Sequence, residues 1–245
     1  MAEFKIPTET VELPSKGLLY PADSPLASGT IEMKYMTAKE EDILTNQNYI
    51  QKGIVIDKLL QSLIVTQNVD YSSLLSGDKN AIMIAARILS YGKEYKVEVD
   101  GKEVTVDLTE LKNKEVDFDQ FRKGQNEFQY TLPHTENAVT FKLLNHSDEQ
   151  VIEREIAGLR KIDKDNLTAS TTRLKHIITS VNGSSDKKDI REFVDNYLLA
   201  KDARALREEY SRVNPDIDLT VYPDGIEEGV DLPITLNFFW PDARV

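Results

Sequence analysis

Cysteine does not occur anywhere in the 245 residues, which excludes disulfides, thiolate metal sites and a cysteine nucleophile. Histidine is almost as scarce. His134, His146 and His176 stand far apart in sequence, and neither H-x-x-x-H nor H-E-x-x-H occurs, so zinc lacks its usual ligand spacing. No G-x-S-x-G elbow marks a serine nucleophile. Glycine-rich phosphate loops are missing too: PSKG at 14–17 and NGSS at 182–185 are too short to cradle a phosphate and read as turns. No apolar run approaches the length of a membrane span. The opening MAEFKIPTETVELPSKG has no cationic start followed by an apolar stretch, so no secretion signal is expected.

What the chain does contain is acid. Forty-two Asp and Glu against 30 Lys and Arg give a net charge of −12, which argues against general nucleic-acid binding because a phosphate backbone would be repelled. The charges are interspersed and not blocked, as on an ordinary solvated surface. Hydrophobic residues make up 40% and aromatics 8%, the composition of a globular chain with a real core, as one large domain or two small ones. Adjacent acids such as Glu40/Glu41 and Glu227/Glu228 point in different directions on a helix and suit capping better than metal binding. Asp216 and Asp218 lack the rest of a calcium loop. No cofactor and no catalytic residue is expected.

Periodicity places the folding centre between residues 48 and 91. Ile50, Ile54, Ile56, Leu59, Leu60, Leu63, Ile64 and Val65 form one helical stripe; a turn around Gly77 and Asp78 follows; Ile82, Ile84, Ala85, Ile88 and Leu89 form a second. Before it, the alternating residues 30–36 predict a strand, and Thr37 with Glu40 predicts a capping box. After it, residues 95–108 alternate around Asp100-Gly101, a hairpin with a type I′ turn. Residues 127–132 and 138–144 predict a second strand pair, joined with the first into one small inserted sheet. Helices are then expected from Ser147, over 168–181, over 186–200 and from about Asp202 to Pro215. Strands at 217–222 and 232–240 close the chain. The predicted fold class is α+β: a helical core, an inserted antiparallel hairpin sheet, an extended N-terminal arm and a C-terminal strand. Its divisions are 1–28, 29–93, 94–145, 146–215 and 216–245.

The two ends carry the candidate functional residues. Four prolines make residues 1–28 an extended arm, yet Leu13, Pro14, Leu18, Leu19 and Tyr20 need a surface to lie on, either on this chain or on a neighbour. Phe238, Phe239, Trp240 and Pro241 present the same choice between a core strand and a partner-binding anchor.

Several stretches together resemble the T4-like phage baseplate hub family. They are LPSKGLLYP at 13–21, TIEMKYMTAKEEDIL at 30–44, DKNAIMIAARILSYGKEY at 78–95, FVDNYLLAKDARALREEY at 193–210 and the closing FFWP. The matching positions are Pro14, Ser15, Lys16, Gly17, Tyr20, Met36, Thr37, Glu40, Glu41, Asp78, Arg87, Ser90, Tyr91 and Gly92. Some relatives carry a cysteine metal ribbon where this chain has residues 95–108, so no metal is carried over here. The resemblance implies a hub subunit or a hub assembly chaperone that is not an enzyme. Its partners would be other tail and baseplate proteins, hub or tape-measure components, in a hetero- or homo-oligomer with no nucleic acid and no membrane. It implies the host cytoplasm during assembly and the virion tail baseplate as locations. The alternative reading is a stand-alone acidic adaptor or regulatory module.

Overall fold

The computed structural model describes residues 5–99, 102–162, 169–222 and 229–239. Strand β1 (Thr8–Glu12) pairs antiparallel with β2 (Thr30–Lys34), Val11 opposite Ile31 and Glu9 opposite Met33. Between them the chain folds through tight turns and a 3-10 turn at Pro25–Ser28. Helices α1 (Ala38–Leu44), α2 (Gln47–Gln51) and α3 (Val55–Leu63) follow, then α4 (Ser76–Tyr91). Hairpin β3 (Glu94–Val99) and β4 (Lys102–Asp107) comes next, then β5 (Phe128–Thr131) and β6 (Ala138–Phe141). The C-terminal half holds α5 (His146–Ile162), α6 (Ala169–Ile177), β7 (Ile178–Val181), α7 (Lys187–Asn196) and α8 (Ala200–Val213). Strands β8 (Thr220–Val221) and β9 (Val230–Asp231) and helix α9 (Leu236–Phe239) end the described chain. The class is α+β.

Helix α4 lies at the centre. Ala81, Ile82, Met83, Ile84 and Ala86 are all buried, as expected of a helix with almost no polar face. It begins six residues before Ile82, the first residue of its apolar stripe, because the expected turn at Gly77 and Asp78 is its first turn. Gly77 belongs there for a packing reason: a Cβ would lie 1.9 Å from the Pro215 carbonyl oxygen. At the other end Arg87, nearly enclosed, donates to the carbonyls of Gly92 (3.0 Å) and Glu94 (3.2 Å) and so fixes the exit into β3.

The structure corrects five local expectations. The first helical stripe is broken at Gly53, whose φ of +67° ends α2 and lets α3 restart in a new direction. Residues 178–181 leave the helix as β7, pairing beside β6; Ile178 and Val181 stay buried, but in a sheet. The inserted sheet is two sheets, β3–β4 and the three-stranded β5–β6–β7. Residues 236–239 form helix α9 and not a strand, with Phe238 and Phe239 wholly buried. Residues 8–28 are not an extended arm but a strand followed by turns closed on the core. The turns expected at Asp100-Gly101 and at 223–225, and the pair Glu227/Glu228, lie outside the described residues.

Candidate functional site

The segment from Leu13 to Tyr20 is built around one carboxylate. The Ser15 backbone N–H donates to Asp78 Oδ1 (2.9 Å), and the hydroxyls of Ser15 (2.7 Å) and Tyr20 (2.6 Å) donate to Oδ2. The Tyr20 oxygen accepts the Leu75 N–H at 2.9 Å, and the Ser15 oxygen accepts the Gly17 N–H at 3.1 Å. Asp78 and Ser15 have no solvent exposure. Burial pushes the Asp78 carboxyl up against the pull of these hydrogen bonds, and burial beside Asp78 raises the Tyr20 phenol. The turn needs glycine twice. Gly17 and Gly29 sit at φ +73° and +77°, and a Cβ on Gly17 would meet the Gly29 nitrogen at 2.5 Å. Lys16, alone exposed in the PSKG turn, lies 4.1 Å over the Phe118 ring.

Two further carboxylates are spent in the same way. Burial alone would raise Glu40; hydrogen bonds from the Thr37 hydroxyl and N–H, Lys34 and Ser62 bring it down to about 2. This is the capping box expected from sequence, extended by Ser62 to α3. Asp202, in the first turn of α8, accepts from the N–H groups of His134 (2.9 Å) and Thr135 (3.1 Å) and from the Thr135 hydroxyl (2.8 Å).

Of the nine candidate contact residues, Leu13, Pro14, Leu19, Tyr20, Phe238 and Phe239 are buried by this chain and Leu18 is half-buried. Trp240 and Pro241 lie outside the described residues. The apolar arm therefore lies on its own chain, one of the two surfaces that the sequence allowed. The Phe238 ring meets Tyr95 at 4.9 Å, so α9 covers the β3–β4 hairpin. None of these six offers a free surface in this structure.

One group of ionisable side chains converges without any sequence signal, because it draws on α3, the loop before α4, α4 and α5. Asp57 accepts from Lys79 (2.7 Å) and Tyr71 (2.9 Å), and His146 Nε2 lies 3.4 Å from its other oxygen. Lys79 also approaches His146 Nδ1 at 3.2 Å, which suits a neutral imidazole accepting there. Burial, then the Lys79 charge, lowers the His146 pKa. Tyr71, His146 and Gln150 line one side of an open concavity of about 740 Å³, whose other walls come from residues 61–72. Each charge in the group is answered within it, which is the pattern of a structural network. His176 likewise pairs with Glu155 (2.9 Å), which also takes both guanidinium nitrogens of Arg191. Among the described residues no cluster of three or more acids and histidines could hold a metal ion, and no helix is long and apolar enough to cross a membrane.

In comparison with known proteins, a family model described as "T4 bacteriophage base plate protein" fits residues 6–231. No curated protein and no solved structure matches.

Proposed function

Because the chain belongs to the T4 bacteriophage base plate protein family, we propose that it serves in the baseplate hub as a non-catalytic structural subunit. It takes its place there by contact with other hub proteins. The observation that supports this reading is how the motif residues are used. Hydrogen bonds among Ser15, Gly17, Tyr20 and Asp78 bind the N-terminal segment to the central helix. A part that must hold its shape under the load of an assembly is served by such fastening.

Because that arm is buried, we place the contacts elsewhere on the chain. Partners would meet what remains exposed: among the described residues, Ile6, Val151, Tyr197, Leu199 and Tyr222 are the large apolar side chains on the surface, with Ile162 at the end of α5. Contact through Leu13, Leu19, Tyr20 or Phe239 would first require their release from this core. The test is reconstitution: baseplates assembled with and without the chain, examined by electron microscopy and by mass spectrometry of the purified particles. Incorporation at fixed stoichiometry supports a subunit. Dependence of assembly on a chain absent from the finished particle would replace that with the chaperone reading.

A further inference from the structure

The β1–β2 ladder is closed on one side and open on the other. On the β2 side, the Glu32 carbonyl accepts the Val65 N–H (2.9 Å), the Glu32 N–H donates to the Thr66 hydroxyl (2.7 Å), and Met33 bridges Ile64. On the β1 side the register decides which backbone groups face out. Tyr35 donates to the Pro7 carbonyl (3.2 Å) and Leu13 donates to the Gly29 carbonyl (2.9 Å). Residues 7, 9, 11 and 13 therefore turn their backbone groups toward β2, and Thr8, Thr10 and Glu12 turn theirs away. Among the described residues none of these outward groups has a backbone partner, and Thr8, Glu9, Thr10 and Glu12 are exposed. Ile6, one strand step before Thr8 on the same face, is 47% exposed.

We infer that the free edge of β1 receives an extended, basic segment of another baseplate protein as an added strand. The inference rests on the structural-subunit reading above and names one of its contacts. Charge selects the occupant. Glu12 lies on the outer face of this edge with Ile6, Thr8 and Thr10, beside Glu32 on β2, and Glu9 lies on the opposite face. A second copy of this chain would bring its own Glu9 and Glu12, and a net charge of −12, to the same edge, which like-charge repulsion disfavours. A strand with lysine or arginine at alternate positions would set them on that outer face beside Glu12, and its apolar residues on the opposite face beside Val11.

The experiment is amide hydrogen exchange on the full chain with a capped peptide of alternating lysine and valine, compared with its glutamate–valine counterpart. The lysine peptide should slow the Thr8, Thr10 and Glu12 amides about tenfold, the effect of about 1.4 kcal/mol of added protection, and leave Glu9 and Val11 unchanged. Thr10→Pro removes an outward N–H without touching the inner ladder; it should keep the melting temperature and lose the protection. Should that variant fold poorly, the substitution Glu12→Lys should move the preference to the glutamate peptide. Equal protection by both peptides, protection absent with either, or a dimer in light scattering would each overturn the inference. In reconstituted baseplates, normal incorporation of Thr10→Pro would refute this contact alone; failure of the unaltered chain to be incorporated would refute the subunit reading instead.

Discussion

Asp78 shows how far single residues carry this fold. Three donors from a segment about 60 positions away in sequence converge on it, and each would be left buried without a partner if the carboxylate were removed. Asp78→Ala should therefore cost about 3–5 kcal/mol, read as a fall in the urea midpoint; Asp78→Asn, which keeps one oxygen, should cost less. Acid should act through Glu40 and Glu155, both held at about 2 in the fold against an ordinary 4.5. The Arg191 hydrogen bonds are the main cause for Glu155, and the Thr37, Lys34 and Ser62 bonds outweigh burial for Glu40. Because each folded pKa is depressed, the native state binds fewer protons than the unfolded one. The stability each gives is complete above about pH 4.5 and is lost as pH falls from there through 2. Denaturation series across that range should show the slope, and Glu155→Gln should flatten it. The capping box around Glu40 was legible in sequence because its partner Thr37 lies three positions away. Asp78 was read as part of a turn, since nothing local announces a carboxylate whose partners are so distant.

At the scale of elements, periodicity found the apolar residues and erred where tertiary contacts chose the conformation. Ile177 and Ile178 continue a helical stripe in sequence, yet the chain turns between them because β6 offers an edge beside Val181 and Ser180. Residues 236–239 read as a strand from their β-prone aromatics, but a helical turn lets Phe238 reach Tyr95 and cap the hairpin. Phe238→Ala should cost about 3–5 kcal/mol, and hydrogen exchange should then quicken first in β3 and β4. Gly77→Ala tests the junction of α4 with the 215–216 segment. The added methyl cannot fit against the Pro215 carbonyl, so the variant should be destabilised and should lose the Asn80–Asp216 hydrogen bond, now 2.9 Å, visible as a shift of the Asn80 side-chain amide resonances.

For the molecule as a whole, the absence of cysteine excludes a thiolate nucleophile, a disulfide and a thiolate metal site. The family was legible too, because its motif is carried by residues that shape the backbone, and the match to the base plate protein family covers those stretches up to residue 231, short of the closing FFWP. The contact surface was not. An apolar residue gives the same sequence signal whether its own chain or a neighbour buries it, and Leu13, Leu19, Tyr20 and Phe239 proved to be core. The account comes down to a rigid body that enters a baseplate and stays. Quantitative mass spectrometry of purified contractile tails tests this most directly. The account predicts the chain in every baseplate at a fixed ratio to its neighbours; finished baseplates that form normally and contain none of it would contradict it.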